Sequence, residues 1–70
     1  MVTIDLHGVR YRDVYSKLEK VCVNGDTPFV VITGESSTMK DIVSQVAKQF
    51  GLFIEDKLGN DGRVIVYERR

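Results

Sequence analysis

Seventy residues make one small domain, near the lower limit for a chain that must bury a core of its own. Ten basic and ten acidic side chains cancel, which argues against holding nucleic acid by bulk charge and leaves only a local basic surface open. At 43% apolar and 29% charged, with no biased tract, the composition is that of a globular protein. One cysteine excludes an internal disulfide and any need of an oxidising compartment. The longest apolar run, Phe29-Val30-Val31-Ile32, is too short for a bilayer. The opening residues are not those of a signal peptide, so the expected location is cytoplasmic, with no membrane partner.

Val2 to Leu6 reads as a first strand. Its alternation sends Val2, Ile4 and Leu6 to one face and Thr3, Asp5 and His7 to the other. Gly8 lets the backbone turn. The period then changes. Tyr11, Val14, Tyr15, Leu18, Val21 and Cys22 recur at helical spacing, so a helix starts near Arg10 to Arg12 and stops before Asn24-Gly25-Asp26-Thr27-Pro28. Both tyrosines lie on its apolar stripe and read as core residues with a hydroxyl at the rim, and Cys22 as a small core residue.

Phe29 to Thr33 is a continuous β-branched run, read as a central strand. Gly34 to Ser37 is a loop. A second helix follows from about Thr38, with Met39, Ile42, Val43, Val46, Ala47 and Phe50 as its stripe. Ser37 or Thr38 is the expected cap, Asp41 falls in the first turn, and Gly51 is the stop. Leu52 to Asp56 is a third strand, Leu58 to Gly62 a turn, and Arg63 to Glu68 a fourth strand. Arg69 and Arg70 read as a fraying terminus. The order β-α-β-α-β-β, with helices for only one layer, predicts a two-layer α/β sandwich: a mixed four-stranded sheet with both helices on one face.

The chain's one histidine sits two residues after Asp5, where the first strand ends. An imidazole titrates near neutral pH and suits proton transfer, and a carboxylate beside it can orient it or bind a divalent ion. The same spacing also fits a strand-end pair that only bonds the following turn. Gly34-Glu35-Ser36-Ser37-Thr38 offers backbone amides and hydroxyls at a helix start, which suits a phosphate or an ordinary cap. It lacks the glycine spacing and Lys-Ser/Thr ending of a P-loop. Parallel strands would bring both stretches to one sheet edge, where α/β ligand sites sit. Arg10, Arg12 and Lys40 are the cations nearest that edge. No set of ligands at zinc spacing exists.

Three stretches resemble the Smr (small MutS-related) domain. Ile4-Asp5-Leu6-His7-Gly8 is similar to its Leu-Asp-x-His-Gly motif, Val31-Ile32-Thr33-Gly34 to the strand and first glycine of its Thr/His-Gly-x-Gly motif, and Gly62 to Tyr67 to its closing strand. The resemblance spans essentially the whole chain and implies the same element order. It implies a nucleic-acid-acting module: an endonuclease on RNA more than DNA, acting through Asp5 and His7, with a divalent cation such as Mg or Mn as an optional cofactor. The alternative is a non-catalytic module of the same fold that binds RNA, the ribosome or a protein. Gly8, Arg10, Arg12 and Thr33 on one side, and Gly34, Ser36, Ser37 and Lys40 on the other, are then the expected nucleic-acid contacts. The chain departs from the second motif at Glu35 and Ser36, where a basic residue and a glycine are usual. The expected assembly is a monomer or weak homodimer.

Overall fold

The computed structural model describes residues 1–56 and 62–68. The elements follow the expected order: β1 (Thr3–Asp5), α1 (Tyr11–Asn24), β2 (Phe29–Ile32), α2 (Ser37–Gln49), β3 (Leu52–Asp56) and β4 (Arg63–Glu68). Of the turn expected at Leu58 to Gly62 only Gly62 is among the described residues, and Arg69 and Arg70 lie outside them. No described helix is long and apolar enough to cross a membrane.

The sheet order is β1-β2-β4-β3. β1 and β2 are parallel, and β4 runs antiparallel to both its neighbours, so β1, β2 and β3 point the same way. Both strand-helix-strand crossovers therefore step in one direction across the sheet. Right-handed connections then lay α1 and α2 on the same face. The fold is the two-layer mixed α/β sandwich that the sequence predicts.

Register explains the core. Ile4, Val31 and Val64 align across three strands, as do Phe29, Val66 and Ile54. These face the helices, and Leu6 continues the row. Val14 and Leu18 of α1 meet Met39, Val43, Val46 and Ala47 of α2 above them. Each such side chain, fully buried, contributes about 1.5–3 kcal/mol. The other sheet face carries Val30, Ile32, Ile65, Tyr67 and Phe53, with Thr3, Asp5, Arg63 and Glu55 around them. The Phe53 and Tyr67 rings lie 6.0 Å apart there.

Several details differ from the sequence expectation. α2 is capped by Ser36, not by Ser37 or Thr38: Ser36 is still extended, and its Oγ accepts the Met39 N–H at 3.0 Å. The helix thus starts a residue early, and Asp41 falls beyond its first turn, which holds Lys40 and no acid. Tyr11 and Tyr15 are 52% and 43% exposed, not core. On α1 only Val14 and Leu18 are fully buried; Val21 and Cys22 are partly buried against the core, and the two tyrosines remain in solvent. Tyr15 leans towards Phe50, with ring centroids 6.1 Å apart. β2 ends at Ile32, one residue short, because the Thr33 N–H turns to Gly62. Gly25 closes α1 in the left-handed conformation, where the sequence places a stop. Cys22 is half-buried, and burial pushes its thiol pKa up, as befits an inert packing residue.

Candidate functional site

Parallel pairing brings the C-terminal ends of β1 and β2 to one edge of the sheet, and the two turns into the helices meet there. The first turn spans Leu6 to Val9. The Val9 N–H donates to Leu6 O at 3.0 Å, and Gly8 takes φ +82°, a conformation that side chains resist. The Asp5 carboxylate accepts the backbone N–H of His7 at 2.9 Å. Asp5 thus holds the turn's main chain. Its bond is to the histidine backbone and not to the imidazole.

The second turn is anchored from β4. The Thr33 and Gly34 N–H groups both donate to Gly62 O, at 2.8 and 3.1 Å. The Thr33 side chain is 2% exposed, and its Oγ1 lies 2.8 Å from Gly34 O and 3.3 Å from Gly62 O. One hydroxyl proton therefore has two carbonyls to serve. Gly34 has φ +66°, and a Cβ built on it would stand 2.8 Å from His7 Cδ2. The imidazole edge therefore rests on the bare backbone of Gly34. This contact joins the two stretches that the sequence singled out.

Between the turns lies an open cleft of about 420 Å³. His7, Gly8, Arg10, Thr33 and Ser36 line it, with Val9 and Met39 as its apolar part. Tyr11 also lines it and was missed: its place on the helical stripe disguised an exposed ring at the first residue of α1. Arg12 and Ser37 are exposed but outside the cleft lining. Lys40 turns away as well, its Nζ 3.6 Å from Asp56 Oδ1 at the end of β3. Glu35 is exposed in the second turn and does not line the cleft. Asp5 borders a different groove, between β1 and α1.

The two helix starts at the cleft are unlike. Arg10, the residue before α1, is extended and gives no side-chain cap. The Asp13 N–H turns back to Arg10 O at 2.9 Å, which leaves the amides of Tyr11 and Arg12 for solvent or an anion. The start of α2 is already capped by Ser36. The cleft thus joins an exposed imidazole, a guanidinium and an uncapped helix start, a set able to meet a phosphate and move a proton beside it. Among the described residues no three of His, Cys, Asp and Glu come together to hold a metal ion. Asp5 and His7 alone do not fit a resident Mg or Mn ion, which favours several oxygen ligands. Comparison with family models, with curated proteins and with solved structures finds no match to this chain.

Proposed function

We propose that this chain is a nucleic-acid-binding domain of Smr type that cleaves phosphodiester bonds, RNA in preference to DNA, with His7 as the proton-transfer group. The observation that carries the reading is the seating of the His7 imidazole on Gly34, at the mouth of a cleft that also holds Arg10 and the uncapped start of α1. On RNA, neutral His7 takes the 2′-hydroxyl proton. The 2′-oxygen bonds to phosphorus, the bond to the 5′-oxygen breaks, and that oxygen takes a proton from water, whose hydroxide recovers the proton that His7 took. The products are a 2′,3′-cyclic phosphate and a 5′-hydroxyl. Arg10 and the first amides of α1 face the growing negative charge. Asp5 acts as a positioning residue through the backbone of His7. Tyr11 offers a ring on which an unpaired base can stack.

A non-catalytic module of the same fold, binding RNA, a ribosome or a protein, is the second reading. The engagement of Asp5 by backbone favours it, since that carboxylate is bonded to the main chain of His7 and not to its imidazole. The deciding experiment is a cleavage assay on single-stranded, structured and duplex RNA and DNA, in EDTA and with magnesium or manganese. The expected result is cleavage of RNA that survives EDTA and disappears in His7→Ala. Binding without cleavage, weakening as salt rises, would establish the second reading. Neither binding nor cleavage would overturn both.

A further inference from the structure

We propose that β1 is also the interface of a homodimer, pairing antiparallel with β1 of a second copy to make one continuous eight-stranded sheet. β1 ends the sheet order, and Leu6 N–H donates to Ile32 O while Val2 O accepts from Val30 N–H. In a parallel ladder this alternation turns the N–H and C=O groups of Val2, Ile4 and Leu6 towards β2. Those of Thr3 and Asp5 point the other way, off an edge that no other described strand covers. Two antiparallel copies centred on Ile4 set Thr3 opposite Asp5 of the second copy, and the reverse. Those two pairs exchange four main-chain hydrogen bonds. The three-residue strand is thus its own complement.

The groove beside this edge commits the occupant. It has a volume of about 590 Å³ and runs between β1 and α1, bordered by Ile4, Asp5, Asp13, Ser16, Lys17 and Lys20. Its charge is divided end to end. α1 runs back along β1, so Asp13 lies near the strand's C-terminal end, beside Asp5, and Lys20 near its N-terminal end. A two-fold axis through Ile4 sets Asp13 of each copy towards Lys20 of the other. The small Ser16 lies near the axis, its hydroxyl held by Asp13 O at 3.1 Å. Lys17, the next residue, also lies close to the axis. An acidic or a basic peptide would match half of the groove; this chain reversed matches both halves. The proposal is independent of the reading of the cleft.

The test is sedimentation velocity on the full chain over about 10–500 µM at low salt, a range that brackets a weak association. The expected result is a monomer–dimer equilibrium that weakens with salt. Asp13→Lys or Lys20→Asp alone turns two attractions into repulsions and weakens the dimer roughly fivefold or more. The double reversal restores it. Thr3→Pro removes an outward N–H but no bond to β2, so it breaks the dimer while the circular-dichroism melt still reports a folded monomer. A chain that stays monomeric throughout the range overturns the proposal. So does a dimer that Asp13→Lys leaves unchanged, which would place the contact elsewhere, such as on the open sheet face.

Discussion

The two strand-to-helix turns at the cleft do the same topological job by different means. The β1–α1 turn is self-contained: a carboxylate two residues back holds it, its own carbonyl closes it, and the helix after it starts without a side-chain cap. The β2–α2 turn is held from outside by the carbonyl of Gly62, and its helix is closed by Ser36. The first helix start therefore has no side chain on its leading amides, and the second has its cap built in. Ser36 serves as the cap because its backbone is still extended and its hydroxyl reaches the Met39 N–H. The open half of the cleft is the half with His7 and Arg10.

Four predictions break or sharpen that contrast. The largest effect belongs to Gly34→Ala. A left-handed backbone costs about 1–2 kcal/mol for a residue with a Cβ, and this Cβ would also strike His7. Gly8→Ala has the same backbone strain but open space around it. Chemical denaturation should show Gly34→Ala as clearly the worse of the two, and only that variant should shift the imidazole resonances of His7 through direct contact. Equal losses would mean that the imidazole does not rest on Gly34.

Next come the helix starts. Ser36→Ala should lose about 1 kcal/mol with its cap. Arg10→Ala should leave stability within about 0.5 kcal/mol, as for most surface changes, while weakening nucleic-acid binding and flattening its salt dependence. Thermal melts beside binding titrations check both. A binding loss from Ser36→Ala larger than that from Arg10→Ala would reverse the assignment of the open half.

Asp5 separates a backbone buttress from a charge partner. Asn keeps an oxygen able to accept the His7 N–H. Asp5→Asn should therefore stay close to the parent in stability and cleavage, whereas Asp5→Ala loses roughly 1 kcal/mol with the hydrogen bond. If Asn proves as damaging to cleavage as Ala, the negative charge itself is needed. The smallest effect is that of Cys22, remote from both turns. Its thiol pKa is raised by burial. A raised folded value means stability fully present below the ordinary thiol pKa and lost as pH rises through the folded one. Alkaline melts should show this slight decline, and Cys22→Ala should remove it.

Much of this was legible from periodicity alone. The apolar stripes of both helices, the alternation in β1 and the stops at Gly25 and Gly51 are local properties, and each element follows from its own residues. That the two motifs share an edge also followed, since a strand-helix-strand unit fixes parallel neighbours. The details that escaped are relations between distant or adjacent alternatives. Three hydroxyls in a row at Ser36, Ser37 and Thr38 offer three caps, and only the backbone angle at Ser36 chooses. The i, i+2 spacing of Asp5 and His7 fits a bond to the ring or to the main chain equally well. Lys40 was free to turn to the cleft until β3 placed Asp56 beside it. Tyr11 and Tyr15 obey the helical period, but a small domain has little core to offer the margins of a stripe.

The carbonyl of Gly62 has a consequence in time. It holds the amides of Thr33 and Gly34 from far along the chain, 29 residues beyond Thr33. During synthesis β1, α1 and β2 are all available before that carbonyl exists. The first turn can take its shape early, from neighbours only. The second cannot be held until Gly62 has been added, and contacts so distant in sequence form late and slowly. A growing chain therefore carries His7 well before it has a seat for it. The cleft is finished only when β4 enters the sheet, so a product truncated before Gly62 would carry both motifs and still have no site.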